Sequence, residues 1–278
     1  MTPEAYVQER AAKSGSSFYY AFLFLPPARR AAITAFYAFC REVDDVVDEV
    51  ADRSVAAAKL AWWRREVDGS FAGEPTHPVT KALMPHAKTY GIERKHLVAV
   101  IDGCQMDLEQ SRFLDFPALE RYCHLVAGVV GEVACNIFGR TQDGTLAYAH
   151  KLGRAMQLTN IIRDVGDDAR RDRIYLPLSE LKQFDVRVQE ILNRGYSDRF
   201  TALMKFQAER AHRSYAEAMA LLAPADRVTQ KPGLMMANIY QTLLREIESD
   251  GFQVLHQRTS LTPLRKLWIA LRTHWRAA

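Results

Sequence analysis

The sequence has no long apolar run, and none of its windows approaches the roughly 18 unbroken apolar residues of a membrane-spanning helix. It contains only four cysteines, with no CxxC pair and no zinc-like histidine spacing, which favours reduced thiols in a core. The N-terminal stretch lacks the basic-then-apolar layout of a secretory signal. We therefore expect a cytoplasmic protein whose membrane contact is at most peripheral, at the inner face of the membrane.

Strong charge of one sign is also missing. The formal net charge is +4, and the basic residues are scattered until the last stretch, so nucleic acid is not an expected partner. Acidic and phosphorylated ligands remain open. The 278 residues can bury a large core, and no linker divides them, so we expect a single domain over residues 1–278.

The alternation typical of β-strands is almost absent, whereas apolar residues recur at helical spacing in nearly every long segment. We predict an all-α protein, built as one bundle of long helices around a central space. Proline- and glycine-containing stretches separate the segments. The predicted helices span residues 3–13, 28–50, 53–70, 77–89, 93–109, 115–138, 143–168, 178–182, 186–193, 197–222, 232–256 and 261–274.

The stretch CREVDDVVDEV, residues 40–50, carries charged residues at a spacing that needs an explanation. Arg41, Asp44, Asp45 and Asp48 fall at i, i+3, i+4 and i+7, so they share one face of a helix whose other face is apolar. Like charges one turn apart repel, so Asp44 and Asp48 destabilise the helix unless a cation lies between them.

A second acidic stretch, residues 157–177, has the same character. Gln157, Asn160, Asp164 and Asp168 share one helical face opposite an apolar one. Carboxylates on a core-like helix need a partner, because an unpaired buried carboxylate is very costly. A hard divalent cation with oxygen ligands suits aspartate and asparagine better than zinc, copper or iron would.

Two such faces could meet across the core of the bundle and hold magnesium. Magnesium takes one or two protein carboxylates and completes its shell with water and substrate phosphate, so a phosphorylated ligand is expected between the helices. Arginines suited to bidentate phosphate contacts lie within or just after both stretches: Arg41, Arg163, Arg170, Arg171 and Arg173. The alternative is that both stripes are ordinary solvated acidic faces.

At these residues the sequence resembles the head-to-head prenyl synthases, which comprise squalene, phytoene and presqualene diphosphate synthases. The resemblance runs from about residue 14 to about residue 260. Its carriers are SGSSFYYAFLFLP, AFYAFCREVDDVVDE, YCHLVAGVVGEV and QLTNIIRDVGDDARRDRIYLP. Within the family, AWWRREV, GEPTHPVT and SSFYYAFLFLPP are most similar to the bacterial presqualene diphosphate synthases of the hopanoid pathway.

The resemblance implies a class I isoprenoid synthase fold, an all-α bundle with a central cavity, in which magnesium-bound diphosphates lie between the two acidic helices. The residues it implies as metal ligands are Asp44, Asp48, Asn160, Asp164 and Asp168, with Asp45 in a supporting role. Those implied as substrate-binding are Ser14, Ser17, Phe18, Tyr37, Arg41, Gln157, Asn160, Arg163, Arg173, Tyr240 and Arg258. Tyr122 matches the tyrosine that handles a proton, and the implied catalytic set is Tyr122, Arg41, Asp44, Asp48, Asp164 and Asp168.

The implied reaction joins two farnesyl diphosphates into presqualene diphosphate. Phytoene synthase, with longer geranylgeranyl chains, and a complete squalene synthase using NADPH remain open. No GxGxxG follows a strand, but that absence is weak evidence, because the family's reducing members do not use such a fingerprint. A magnesium-dependent phosphohydrolase and a non-catalytic scaffold are the alternatives from other classes. Prenyl diphosphates, and enzymes acting downstream, are the implied partners.

Aromatic and small residues are further candidates for the prenyl pocket. Aromatic faces stabilise positive charge, although the alternative for most of these residues is plain core packing. The candidates are Phe18, Phe22, Phe36, Phe39, Tyr37 and Tyr122. Gly128 and Gly131 lie inside a predicted helix, where they leave room either for a prenyl chain or for a closely packed helix.

The chain ends in a basic amphipathic stretch, LTPLRKLWIALRTHWRAA. Leucines and tryptophans recur there at helical intervals beside arginines and a lysine, which suits an anionic membrane surface. The alternative is a terminal helix docked on the bundle with a solvated basic face.

Overall fold

The bundle is formed almost entirely by helices, as seen in a computed structural model that describes residues 1–13, 18–50 and 52–276. Within these ranges there is no β-strand, and a single bridge joins Arg112 to Ile174. The helices are α1 (Pro3–Lys13), α2 (Phe18–Phe22), α3 (Pro27–Glu49), α4 (Arg53–Phe71), α5 (Pro78–Tyr90), α6 (Arg94–Glu109), α7 (Phe116–Cys123), α8 (Val129–Phe138), α9 (Gly144–Arg170), α10 (Leu178–Gln183), α11 (Val188–Leu192), α12 (Asp198–Leu221), α13 (Lys231–Ser249) and α14 (Pro263–Arg276). A π-helical turn (His124–Gly128) joins α7 to α8, and a 3-10 turn (Pro224–Asp226) precedes α13.

The predicted all-α class is confirmed, and most predicted helices begin and end within two residues of the observed ones. Three predictions were wrong in detail. The short helix α2 was not predicted, and the segment 115–138 is divided by the π-helical turn. The helix predicted over 232–256 ends at Ser249, because Gly251 and Phe252 adopt left-handed backbone conformations with φ of 63° and 59°.

Helix α9 lies at the centre of the bundle and packs against α8, α12, α13 and the π-helical turn. Two glycines permit this close approach. A Cβ on Gly131 would lie 2.5 Å from the carbonyl oxygen of Ala149, and one on Gly153 would lie 2.3 Å from that of Ala127.

Gly128 and Gly131 were predicted to leave room for either a prenyl chain or a closely packed helix. A Cβ on Gly128 would meet the His124 and His150 rings at 3.1 and 3.2 Å, and one on Gly131 would meet the backbone of α9. Gly131 also borders the central cavity, but the direction of its missing side chain is filled by α9. Close helix packing therefore explains both glycines.

Two buried carboxylates fix the breaks between helices. Glu66 on α4 accepts hydrogen bonds from the backbone N–H groups of Thr76 and His77 at 2.8 and 2.9 Å, and from the Thr80 hydroxyl at 2.5 Å. Asp226 accepts hydrogen bonds from the hydroxyls of Thr141 and Thr145, each at 2.6 Å. Burial alone raises the pKa of each carboxyl, but these donors outweigh it and lower the pKa below its ordinary value.

All four cysteines are free thiols, and Cys104, Cys123 and Cys135 are buried. In the described part of the chain, no helix is both long enough and apolar enough to cross a bilayer.

Candidate active site

The first acidic face lies on α3, and its side chains are tied together by an arginine. Arg41 donates to Asp44 Oδ2 at 2.7 Å and to Asp45 Oδ1 at 2.5 Å. Asp45 also pairs with Arg10 of α1, so it lies away from the cavity and holds α1 against α3. Asp44 and Asp48 instead line the cavity.

The second acidic face lies on the C-terminal half of α9. Asn160 donates from Nδ2 to the Gln157 Oε1 at 3.2 Å, while its Oδ1 is buried without a hydrogen-bond partner. Asp164 accepts hydrogen bonds from two arginines, at 2.7 Å from Arg163 Nε and at 2.8 Å from Arg258 Nε. An amide oxygen that finds no donor among the described residues is costly in a cavity, so we expect a water molecule, a ligand or a cation at this position.

Arginines that follow α9 join the two acidic faces. Asp48 Oδ1 lies 3.0 Å from Arg171 Nη1 and 2.9 Å from Arg173 Nη1. Arg173 also donates to the Val47 carbonyl oxygen at 3.1 Å. The two stretches predicted to meet are therefore neighbours across one cavity, although more than a hundred residues separate them in the chain.

The cavity between these helices has a volume of about 790 Å³ and follows α9. Its α9 wall changes character along the helix, from Tyr148, Leu152 and Met156 to Asn160 and Asp168. At 1.5 Å per residue this wall is about 30 Å long. Apolar side chains from the other elements line it as well: Val100, Cys104, Val126, Ala127, Val130, Ala134 and Phe138. The cavity can thus hold a long apolar chain with a charged end at the acidic faces.

Two tyrosines and an aspartate form a further cluster in the cavity wall. Tyr122 donates to Asp107 Oδ2 and Tyr175 donates to Asp107 Oδ1, both at 2.7 Å. The rings of the two tyrosines lie 5.3 Å apart. Asp107 and Tyr175 were missed in the sequence. The signal was present, because Val100, Cys104 and Asp107 follow helical spacing and place an acid on an apolar face.

Comparison with known proteins decides the family. The family model described as squalene/phytoene synthase matches residues 11–265 of this chain. The chain belongs to the squalene/phytoene synthase family.

Relatives in this family match over nearly the whole chain. The 15-cis-phytoene synthase of Synechocystis sp. is 34% identical, with 95% of this chain and 82% of that protein covered. The presqualene diphosphate synthase of Sinorhizobium fredii is 32% identical, with 96% of each protein covered. The family predicted from the motifs is therefore confirmed.

Solved structures confirm the predicted isoprenoid synthase fold. A dehydrosqualene synthase in complex with ligand superposes with a TM-score of 0.87 at 28% identity, covering 99% of this chain and 96% of that one. A squalene synthase from Alicyclobacillus acidocaldarius gives a TM-score of 0.80 at 25% identity, covering 90% of this chain and 94% of that one.

The carboxyls of this squalene/phytoene synthase family member have unusual pKa values. Although 43% of its side chain is exposed to the open cavity, Asp44 is surrounded by protein; the resulting desolvation, and then the charge of Asp48, raise its pKa to about 7. Burial, and then the charge of Asp164, raise the pKa of Asp168 to about 8. Burial raises the pKa of Asp107 to about 6, although hydrogen bonds from Tyr175 and Tyr122 oppose the rise. Asp164 differs, because its hydrogen bonds to Arg163 outweigh the effect of burial and lower its pKa.

The described residues that the resemblance implies as metal ligands, substrate-binding residues or catalytic residues all line this cavity, except Asp45 with its supporting role, and their individual roles remain predictions. They are Phe18, Tyr37, Arg41, Asp44, Asp48, Tyr122, Gln157, Asn160, Arg163, Asp164, Asp168, Arg173, Tyr240 and Arg258. Arg170 and Arg171 line it as well. Ser14 and Ser17 lie outside the described residues.

For three of the aromatic candidates the alternative of plain core packing holds. Phe36 and Phe39 are fully buried on α3 and do not line the cavity, and Phe39 packs edge-on against Trp63. Phe22 is buried on α2 and does not line the cavity either. The α3 residues that line the cavity form one stripe, and Phe39 lies on the opposite side of the helix; the stripe consists of Tyr37, Cys40, Arg41, Asp44 and Asp48.

Proposed function

We propose that this chain condenses two farnesyl diphosphates into presqualene diphosphate with release of diphosphate. The observation that carries this proposal is the single cavity that joins two acidic, arginine-rich faces to a long apolar wall of α9. Charged diphosphates suit the first part, and prenyl chains suit the second. The alignment with a presqualene diphosphate synthase, which is 32% identical and covers 96% of both proteins, supports the choice of product.

We propose magnesium as the cofactor, because the donor set fits it. All of the implied ligands are oxygens, and the buried Asn160 Oδ1 has no other partner. In the described residues no three acidic, histidine or cysteine side chains gather closely enough to hold a metal ion by themselves. A magnesium ion bound here would therefore need diphosphate and water to complete its coordination shell. When bound, the metal supplies Lewis-acid stabilisation of the charge on the departing diphosphate.

In this proposal the arginines of the cavity bind carboxylates before the substrate enters and phosphate oxygens afterwards. Without substrate they neutralise the carboxylates, as in the pairs Arg173–Asp48 and Arg163–Asp164. With substrate, their planar guanidinium groups bind the phosphate oxygens, while the carboxylates hold cations. The allylic carbon–oxygen bond breaks with its electron pair on the diphosphate oxygen, and the arginines stabilise the charge that appears there.

The cavity walls then protect the allylic cation. The double bond of the second substrate supplies the electrons of the new carbon–carbon bond, and this must occur before water reacts. Leu152, Val130 and Ala134 offer no nucleophile, and the rings of Phe18 and Tyr37 offer π-faces to the positive charge. Because these walls hold the two prenyl chains close together, the allylic cation reacts more readily with the second substrate.

Loss of one proton completes the reaction, since the electrons of that carbon–hydrogen bond close the cyclopropane ring. Burial and the nearby Asp107 charge raise the pKa of Tyr122 well above its ordinary value, so Tyr122 keeps its phenolic proton near neutral pH. Tyr122 therefore acts as a relay, passing its own proton to Asp107 as it receives one from the substrate. Released diphosphate is the alternative acceptor.

Phytoene synthesis from two geranylgeranyl diphosphates is the second candidate. It is favoured by the relatives at 34% and 35% identity, which are phytoene synthases from Synechocystis sp. and Synechococcus elongatus. The dehydrosqualene synthase and squalene synthase among the solved structures favour the shorter product.

The test is incubation of the purified protein with magnesium and either farnesyl or geranylgeranyl diphosphate, with and without NADPH, followed by product mass. We expect presqualene diphosphate from farnesyl diphosphate in both conditions. Phytoene as the main product, squalene with NADPH, or farnesol alone would instead identify the phytoene synthase, the complete squalene synthase or the phosphohydrolase.

A pair of variants tests the role of the acidic face in the same assay. We expect Asp44→Asn to lower turnover by roughly a hundredfold or more. Asp102→Asn is the matched control, since its side chain is 44% exposed against 43% for Asp44 and pairs with an arginine in the same way, outside the cavity. Equal rates for the two variants would refute the assignment of Asp44.

A further inference from the structure

Helix α14 docks on the bundle through one face. Ile269, Ala270 and Thr273 are buried there, and Asn238 of α13 donates to the Thr273 hydroxyl at 2.9 Å. The ring of His274 stacks on Phe24 at 4.8 Å, just after α2. This contact satisfies the need of an amphipathic helix to bury one apolar side.

The opposite face of α14 is apolar as well, and it is exposed. Leu264, Trp268 and Trp275 lie at i, i+4 and i+11, on the side away from Ile269 and Ala270, and their exposed fractions are 80%, 57% and 73%. Single exposed apolar residues are ordinary, but two tryptophans and a leucine aligned on one helix form a surface suited to contact. We call these three residues the outer face of α14.

Positive charge flanks the outer face. Arg265 and Arg272 lie beside it. Arg265 is paired with Glu246 of α13 at 2.5 Å, whereas the Arg272 guanidinium lies over the Trp268 ring at 5.1 Å from its centroid. The sequence of α14 contains no acidic residue. Tryptophan next to arginine is typical of helices that lie in the interface of an anionic bilayer, where the ring enters the headgroup region and the cation meets lipid phosphate.

Helix α14 borders the cavity with its docked side, and its outer face is turned away from the cavity. Lys266, on the docked side of α14, and Arg258, just before the helix, both line the cavity. On the other side, α14 contacts α2, whose Phe18 also lines it. A surface that bound the outer face would therefore lie within one helix diameter of the cavity opening, roughly 10 Å.

We propose that the outer face of α14 docks this protein on an anionic phospholipid surface, with the mouth of the cavity beside the headgroups. The docking itself is independent of the reaction. Its use rests on the proposed function, since an apolar product with a diphosphate group could pass from the cavity into the bilayer without crossing water.

Vesicle co-sedimentation of the full chain tests the proposal. We expect binding to vesicles that contain phosphatidylglycerol, weak binding to phosphatidylcholine alone, and weaker binding at high salt. The variant Leu264→Ser/Trp268→Ser/Trp275→Ser should reduce partitioning onto the anionic vesicles roughly tenfold or more. A blue shift of tryptophan emission on binding should disappear in the same variant.

A second triple variant serves as the matched control. Val55→Ser/Leu114→Ser/Leu221→Ser removes three exposed apolar side chains from other elements, with exposed fractions of 44%, 71% and 41%, and should bind vesicles as the unaltered protein does. Circular dichroism confirms that both variants are folded. Failure of the folded, unaltered protein to bind anionic vesicles would overturn the proposal, and so would undiminished binding by the α14 variant.

Three further outcomes distinguish docking on a membrane from dimerisation and from a failure of the proposed function. Concentration-dependent dimerisation that the α14 variant abolishes, without vesicle binding, would overturn the proposal and make the outer face an interface between two copies. Loss of vesicle binding with an unchanged product in detergent solution would support docking. An absent product together with intact vesicle binding would refute the proposed function alone.

Discussion

The environment of Asp168 destabilises its carboxylate form, which reduces the stability of the folded protein without ligand at neutral pH. Its pKa of about 8 lies far above the value of 3.8 expected for an unfolded chain, so folding takes up a proton at pH values between these limits. The contribution of this carboxyl to stability is complete below pH 3.8 and is lost as the pH rises toward 8. We predict that Asp168→Asn raises the melting temperature of the protein without ligand by a few degrees at pH 8, and by less at pH 5.

The same substitution should lower turnover by roughly a hundredfold or more, because a neutral amide holds a divalent cation less well than a carboxylate. Thermal melts at the two pH values and steady-state rates with substrate measure the two effects. A variant that loses stability at pH 8, or that keeps near-normal turnover, would contradict the assignment of Asp168.

The Tyr122–Asp107 pair gives a second prediction at this scale. Asp107 can receive a proton through Tyr122 only when Asp107 is in its carboxylate form. Turnover should therefore fall as the pH drops below the Asp107 pKa of about 6. Asp107→Asn should lower turnover roughly a hundredfold and remove that acidic limb. Tyr122→Phe should have a similar effect on rate.

Tyr175→Phe is the control for the pair, because Tyr175 makes an equally short hydrogen bond to the same carboxyl at 2.7 Å. A merely structural clamp would make the two tyrosine variants equivalent. Equal rates for both, with an unchanged pH profile in Asp107→Asn, would assign the proton to the released diphosphate.

Spacing alone was enough to find most of the charged residues of the cavity. Asp44, Asp48, Asp164 and Asp168 were found because acids at helical intervals on a half-apolar helix have no stabilising role of their own. Asp107 has the same signal, but α6 has no second acid three or four residues away from it, because Asp102 and Glu109 fall at other spacings. Its two tyrosine partners come from other parts of the chain, so only the fold reveals the cluster.

Helices α8 and α9 pack closely at Gly131, and a substitution there tests whether this close contact is required. Alanine favours a helix over glycine by about 1 kcal/mol, yet its Cβ would lie 2.5 Å from a backbone oxygen of α9. We predict that Gly131→Ala lowers the free energy of unfolding by roughly 2 kcal/mol, as overpacking usually does. Denaturant titration measures the change.

Gly144→Ala, at the start of α9, is the matched control. A Cβ on Gly144 would meet no atom within 4 Å, so the same substitution should be neutral or stabilise by up to about 1 kcal/mol. A stabilised Gly131→Ala would mean that α8 and α9 can separate, and that a prenyl chain could use the space.

Helix periodicity predicted the long elements and failed where local geometry ends or distorts them. The segment after Ser249 keeps apolar residues at helical spacing, but Phe252 is buried by the turn itself and its N–H bonds back to the Ile247 carbonyl oxygen at 2.9 Å. The π-helical turn at His124–Gly128 inserts a residue that no periodic pattern announces. Val126 and Ala127 of this turn line the cavity.

On the scale of the whole molecule, one ligand should connect the two acidic faces. Inorganic diphosphate with magnesium should contact both faces, so it should bind the folded chain and not the unfolded one. At a hundred times its dissociation constant it should raise the free energy of unfolding by about 2.7 kcal/mol. We predict a rise in melting temperature of several degrees with both components, and little with either one alone.

Variants on each helix make this prediction specific. Asp48→Asn on α3 and Asp164→Asn on α9 should each abolish the shift, whereas Asp102→Asn on α6 should keep it. A shift that survives the loss of either carboxylate would mean that the faces bind independently, and that the cavity does not join them around one ligand.

The sequence by itself determined the all-α class, the long helices, the two acidic faces and the family, because each depends on spacing within a short stretch or on motifs that are local. Tertiary structure decided which faces meet. It also decided that Phe36 and Phe39 belong to the core, that α9 packs closely against Gly131, and that Asp107 accepts hydrogen bonds from two tyrosines. These outcomes depend on contacts between residues far apart in the chain, and no local pattern encodes such distances.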